Sequence, residues 1–249
     1  MHDLLAPLLT WQLAAAAGVV LLAGIVRGFS GFGSALILTP SLALLYGPEQ
    51  AVPLVIVLEA VLSVQMIRDG WRGADRREVA VLGIAAVVAI PLGTWILLVA
   101  DPEILRWAIS LGILAFLVAL AAGWRHRGAK SRAGLVVTGA LSGALNGAAG
   151  VPGPPILLYY LGGGKTSAAL LRANVILFFF LLDCVTLPWM AIQGLVTVPV
   201  LLVAAMILPA AMLGVVVGTR LFPYATDRHF RLIAYLIIGA VAILTLPVG

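Results

Sequence analysis

A chain of 249 residues in which 63% are hydrophobic and 10% charged, with mean hydropathy +1.16, is not a soluble globule, where about a quarter of residues would be charged. The net charge of +5 comes from 15 Lys/Arg against 10 Asp/Glu, and the basic residues fall in short loops between apolar spans. That is the pattern of cytoplasmic-loop bias, so the expected partners are a lipid bilayer and a small solute, with no nucleic acid.

The expectation is an all-α polytopic membrane protein forming one domain over residues 1–249. Met1-His2-Asp3 lacks the basic start of a signal peptide, so the apolar stretch after it is expected to be retained. Residues 8–26 and 35–45 are two apolar arms separated by Arg27-Gly28-Phe29-Ser30-Gly31-Phe32-Gly33-Ser34. In lipid an unpaired backbone polar group costs several kcal/mol, so a helix is interrupted at membrane depth only where protein or a water-filled cavity supplies partners. Gly47-Pro48-Glu49-Gln50 reads as a turn. A span is expected over 51–67, a loop with four arginines over 68–78, and a span over 79–99 containing Pro91 and Gly93. Asp101-Pro102-Glu103 then places an acidic cap on a span over 104–123, and the basic loop 125–132 closes the first half.

The second half follows the same plan. An apolar arm over 134–145 leads to a second break, Asn146-Gly147-Ala148-Ala149-Gly150-Val151-Pro152-Gly153-Pro154-Pro155, and a short arm over 156–161. Spans follow over 171–190, 196–219 and 230–246. Gly28, Gly31 and Ile37 match Gly147, Gly150 and Ile156 at an offset of 119. Gly93, Thr94, Asp101 and Arg106 match Gly218, Thr219, Thr226 and Arg231 at an offset of 125, although Asp101 meets a threonine. The chain therefore reads as two repeats, about 1–127 and 128–249, and paired broken segments in two halves point to a transporter's binding site.

Two topologies fit. If each broken unit is a straight interrupted span, the loop Lys/Arg divide eight against six between the two sides. If each is a re-entrant hairpin, Lys165, Arg172, Arg220, Arg228 and Arg231 change sides, leaving 13 against Arg106 alone, which the positive-inside rule prefers. That arrangement makes the halves inverted and puts both termini outside. Arm length pulls the other way, because 19 residues over 8–26 make about 28 Å of helix, long for half a hairpin.

The runs Gly28-Phe29-Ser30-Gly31-Phe32-Gly33-Ser34-Ala35-Leu36-Ile37-Leu38-Thr39-Pro40 and Gly143-Ala144-Leu145-Asn146-Gly147-Ala148-Ala149-Gly150 to Pro155-Ile156, within two repeated halves, resemble the sulfite exporter TauE/SafE family of small bacterial membrane transporters. The likeness extends over the whole length, with prolines in the second half where the family has a glycine run. It implies secondary transport of a small organosulfur or sulfur-oxyanion solute across the cytoplasmic membrane.

The residues themselves point to an anion. A helix starting at Ser34 would aim N–H groups and its positive dipole end at the break, glycines let a ligand approach, and Arg27 offers a fork that matches oxyanions. The candidate substrate-binding residues are Arg27, Gly28, Ser30, Gly31, Gly33 and Ser34 at the first break and Asn146, Gly147, Gly150 and Gly153 at the second. The bland alternatives are glycines that serve helix packing and an Arg27 that snorkels to the interface. Glu59 and Asp183, acids inside corresponding spans, are candidates to carry a coupling proton or to pair with Arg27. Arg172-Ala173-Asn174, opening the span of Asp183, reads either as a contributor at the cytoplasmic mouth or, the favoured expectation, as an ordinary interfacial anchor.

No cofactor is called for. Gly162-Gly163-Gly164-Lys165-Thr166 is not a phosphate loop, because Tyr159 stands where the first glycine belongs. His2, His126 and His229 lie in terminal or loop positions, which argues against a buried metal site, and Cys184 is the only cysteine, so no intrachain disulfide forms. The alternative of a membrane-embedded enzyme acting on a lipid phosphate would want clustered carboxylates, histidine or arginine near one tip, and is disfavoured because the sequence offers Arg27 with Glu59 and Asp183 scattered along the chain. A channel-like or accessory subunit, and association into a homo-oligomer, stay open from sequence.

Overall fold

The computed structural model describes residues 11–121, 131–162 and 166–224, and among them are nine α-helices, one short 3-10 turn and no strand. The helices are α1 Trp11–Ser30, α2 Ser34–Tyr46, α3 Pro48–Gly73, α4 Arg76–Val99, α5 Pro102–Ala121, α6 Arg132–Ala149, α7 Gly153–Gly162, α8 Ala168–Ile192 and α9 Val198–Leu221, with the 3-10 turn at Phe222–Tyr224. Among the described residues, five segments are long and apolar enough to cross a membrane: α1, α3, α4, α8 and Val198–Tyr224. Residues expected to form the basic loop at 125, 126, 127 and 130, the Gly163-Gly164-Lys165 turn, the last span over 230–246 and the histidines all lie outside the described residues.

The helix ends follow their capping chemistry. Asp75 accepts from the N–H groups of Arg77 at 3.0 Å and Glu78 at 3.2 Å, and Asp101 accepts from Glu103 at 2.8 Å and Ile104 at 3.2 Å. Ser131, Ser167 and Thr197 cap α6, α8 and α9 with their hydroxyl groups. These caps correct two expectations. The polar stretch 68–78 is not a loop, since α3 runs to Gly73 and α4 begins at Arg76, so its arginines ride on helix that extends past the apolar zone. The turn expected at 47–50 contracts to Gly47, because Pro48 needs no N–H partner and fits a first helical position.

The breaks are also shorter than expected. Arg27 to Ser30 are the last turn of α1, and the interruption is Gly31-Phe32-Gly33, with φ of 82° at Gly31 and 90° at Gly33. Asn146 and Gly147 belong to α6, whose end is closed by Gly150 N–H donating to Asn146 O at 2.9 Å. The chain then doubles back: Tyr159 of α7 donates to Ser131 O at 3.4 Å, and α6 and α7 line a groove between Thr138, Leu141, Pro155 and Tyr159. A straight broken span would hold Ser131 and Tyr159 roughly 40 Å apart.

The two halves interlock through glycines. On α1, a Cβ at Gly24 or Gly28 would overlap the carbonyl oxygens of Ala211 or Val215 on α9. On α6, a Cβ at Gly143 or Gly147 would overlap those of Ala86 or Ile90 on α4. Shifting 24 and 28 by 119 gives 143 and 147, and shifting 86 and 90 by 125 gives 211 and 215, so these are corresponding contacts. Gly218 meets Ile25 as Gly93 meets Ala144. Both pairs run parallel with small residues four apart, the spacing that lets helix backbones approach closely in a membrane. Between them α3 and α8 cross antiparallel, with Ser63 against Asp183, Gly70 against Ile176 and Asp75 against Asn174. Apolar faces of the outer helices are exposed, including Ile84, Val88 and Trp95 on α4 and Leu213 on α9.

Candidate functional site

The last turn of α1 delivers Arg27 into the α3/α8 crossing, where it is 0% exposed and does not snorkel. Its Nη1 forms an ion pair with Glu59 of α3 and lies 3.4 Å from Ser34 Oγ, while Nη2 donates to Ser63 Oγ at 2.6 Å. Ser34 donates to the other oxygen of Glu59 at 2.5 Å, and Ser63 donates to Asp183 Oδ2 of α8 at 2.6 Å. The Phe179 ring faces the guanidinium at 5.6 Å. One cation thus meets two carboxyl groups, one directly and one through a hydroxyl. Arg27 Nε has no hydrogen-bond partner among the described residues.

This arrangement sorts the sequence candidates. Arg27, Ser34, Glu59 and Asp183 come together, joined by Ser63, which sequence reasoning missed; it lies four residues from Glu59, one helical turn, and that spacing was the available signal. Ser30 serves the break itself, within 2.8 Å of Val26 O and 2.6 Å of Phe32 O while accepting from Phe32 N–H at 3.2 Å. Gly28 and Gly147 sit in the helix contacts described above. Gly31 lies against Arg172, whose Cγ would stand 2.8 Å from an added Cβ, and Gly33 packs on Val26. At the second tip Asn146 donates to Thr186 of α8 at 2.9 Å, Gly150 nears Val55 and Ile56, and Gly153 faces Phe179 with more room. The tips touch where Thr39 of α2 donates to Ala149 O at 2.9 Å.

Arg172 is not an interfacial anchor. It is 6% exposed, donates to Gly28 O at 2.9 Å and to Asp69 Oδ2 at 3.2 Å, and stacks over Phe222 at 4.6 Å. The reason is local: Gly31 leaves room for the arginine stem, and the carbonyl of Gly28 needs a donor where the helix stops. Next to it, Tyr160 of α7 donates to Glu78 at 3.0 Å and accepts from Asn174 Nδ2 at 3.0 Å, while Asn174 Oδ1 accepts from Asp75 N–H at 2.7 Å. These bonds tie α3, α4, α7 and α8 at the end where α3 finishes and α8 begins.

No group of three or more His, Cys, Asp or Glu suited to a metal occurs among the described residues. The arrangement offers a permanent cation, hydroxyl donors and two carboxyl groups in a buried crossing of two helices. That set is suited to holding an anion and a proton. Comparison with protein families matches residues 16–245 to a model described as Sulfite exporter TauE/SafE. Comparisons with curated proteins and with solved structures give no match.

Proposed function

The chain belongs to the TauE/SafE sulfite exporter family, a family of membrane transporters rather than enzymes, and from that premise we infer that it is a secondary transporter carrying a small sulfur oxyanion or organosulfur anion, of the sulfite, sulfonate or thiosulfate kind, across the cytoplasmic membrane by alternating access. The observation that carries this reading is the buried Arg27, held by Glu59, Ser34 and Ser63 beside the first break. A guanidinium keeps its charge when buried and so requires an anion at all times. With no substrate the anion is Glu59. With substrate, an oxyanion takes over the fork that Glu59 leaves and gains the hydroxyl groups of Ser34 and Ser63, which suit three or four tetrahedral oxygens.

Coupling follows from charge balance. One arginine between two carboxyl groups is neutral when one carboxyl carries a proton, and the arrival of an anion calls for a further proton. Glu59 and Asp183 are the groups that take them, which makes the transport proton-coupled. Residues 1–249 act as one domain of two halves, with the divide near 127.

In the membrane the two broken units are re-entrant hairpins in inverted halves. The doubling back of α7 on α6 supports this, and so does the antiparallel crossing of α3 and α8. Straight broken spans would give both halves the same orientation and make those two helices parallel. Arg68, Arg72, Arg76 and Arg77, all exposed at the joint of α3 and α4, then face the cytoplasm.

The test is flux into proteoliposomes containing only this chain, with labelled sulfite, thiosulfate, a sulfonate and a carboxylate offered separately under an imposed pH gradient. Uptake of at least one sulfur anion, with the pH dependence lost in Glu59→Gln or Asp183→Asn, is expected. Inert vesicles for every anion would refute the reading, and uptake with an unaltered pH response in both variants would remove the coupling role.

A further inference from the structure

We propose that Arg172 is a second anion-binding residue, the station at which a sulfur oxyanion rests between Arg27 and the aqueous face where α3 ends and α8 begins. This inference rests on the transport reading above. The two arginines share a surrounding that a mere helix clamp does not require. Each guanidinium is buried against the same break, Arg27 within its last helical turn and Arg172 with its stem on Gly31. Both are held by one carboxylate, Glu59 for Arg27 and Asp69 for Arg172. An aromatic ring lies against each, Phe179 at 5.6 Å and Phe222 at 4.6 Å. And each keeps a buried Nε–H with no acceptor among the described residues, a donor that an added oxygen would satisfy.

The two stations are spaced for transfer. Arg172 precedes Phe179, the ring over Arg27, by seven residues, or about 10 Å of helix. The two arginines therefore meet α8 about two turns apart, and the solute passes from one to the other. The grip on Arg172 is also the weaker one, since Asp69 is 46% exposed and its pairing is open to solvent, whereas the Glu59 side chain is 5% exposed. An incoming oxyanion therefore displaces Asp69 first. Outside it stand the exposed Arg68, Arg72, Arg76 and Arg77, whose combined field concentrates anions at this mouth. Arg172, Asp69 and Phe222 thus set which anion enters, and planar or tetrahedral oxyanions with two oxygens for the fork are favoured over halides.

The experiment measures sided KM values for labelled sulfite and thiosulfate in proteoliposomes, in a Cys184→Ser background. Orientation is read from an Arg72→Cys label that an impermeant maleimide reaches from one face only. Arg172→Gln should raise KM about tenfold for entry from the face bearing residue 72, with a several-fold smaller change for entry from the other face. Arg172→Lys should recover part of the loss. Asp69→Asn, which removes the competing carboxylate, should lower KM from the same face, and this sign is not what a structural clamp gives. Equal KM changes from both faces in Arg172→Gln, or a KM raised by Asp69→Asn, would overturn the station while leaving transport itself established. Should Arg172→Gln fail to fold, the sign of the Asp69→Asn effect decides alone. If the parent protein takes up neither of these anions nor a labelled sulfonate, the transport reading has failed and the station falls with it.

Discussion

The two tips are built on similar glycine contacts and differ most in charge. At the first, Arg27 donates to Ser63 on α3; at the second, Asn146, 119 residues on, donates to Thr186 on α8. Scaffold and hydroxyl partner are alike, but one side chain carries a charge and brings two carboxyl groups with it. The glycines behind both side chains do the same job in each half, letting α1 approach α9 and α6 approach α4. The packing behind the two tips is thus alike, while the charge is gathered at the first. The two tips touch through the Thr39–Ala149 bond between them.

The contrast can be broken most severely at the charge. Arg27→Asn, which makes the first tip resemble the second, leaves Glu59 and Asp183 buried with no cation, and losing one partner of a buried pair costs about 3–5 kcal/mol. We expect uptake to fall below detection and thermal stability in detergent to drop sharply; near-normal uptake would remove Arg27 from the site. Next in size are the glycine contacts. Gly143→Val and Gly24→Val, at corresponding places, should each cost about 1–3 kcal/mol by overpacking against a carbonyl. Unequal losses, measured as midpoints of thermal unfolding, would show that the halves are not equivalent supports.

Asn146→Ala should cost about 1–2 kcal/mol by stranding its partner, with KM moved less than threefold. A large rise in KM would instead place the second tip in contact with solute. The smallest effect is expected from Thr39→Val, about 1 kcal/mol from the lost bond between tips, read by the same unfolding midpoint. No change at all would mean the tips are held by packing alone.

Much of this was legible in the chain. The Gly-rich interruptions, the offsets of 119 and 125, and the isolated acids Glu59 and Asp183 each stand out against an apolar background, and all fall at places the fold uses. What sequence could not supply was depth and partner. Ser63 looks like any small polar residue in a span until α3 and α8 are seen to cross there. Arg172 looks like an interfacial anchor because its neighbours on α1 and in the 3-10 turn after α9 are more than a hundred and about fifty residues away, respectively, and no local pattern announces them. The polar stretch 68–78 reads as loop by composition, whereas helix continues into water when caps such as Asp75 satisfy its ends. Glycines at 28 and 147 read as ligand contacts, and the sequence does not show that each also lies against the backbone of another helix.

The cross-packing of the glycine helices bears on how the protein is made. The partner of α1 is α9, close to two hundred residues later in the chain, and the partner of α4 is α6, beyond the divide between halves. A ribosome that has released only the first half has inserted α1 and α4 with their close-contact faces bare. These contacts close only once the later helices are made, a long-range closure of the kind that slows folding.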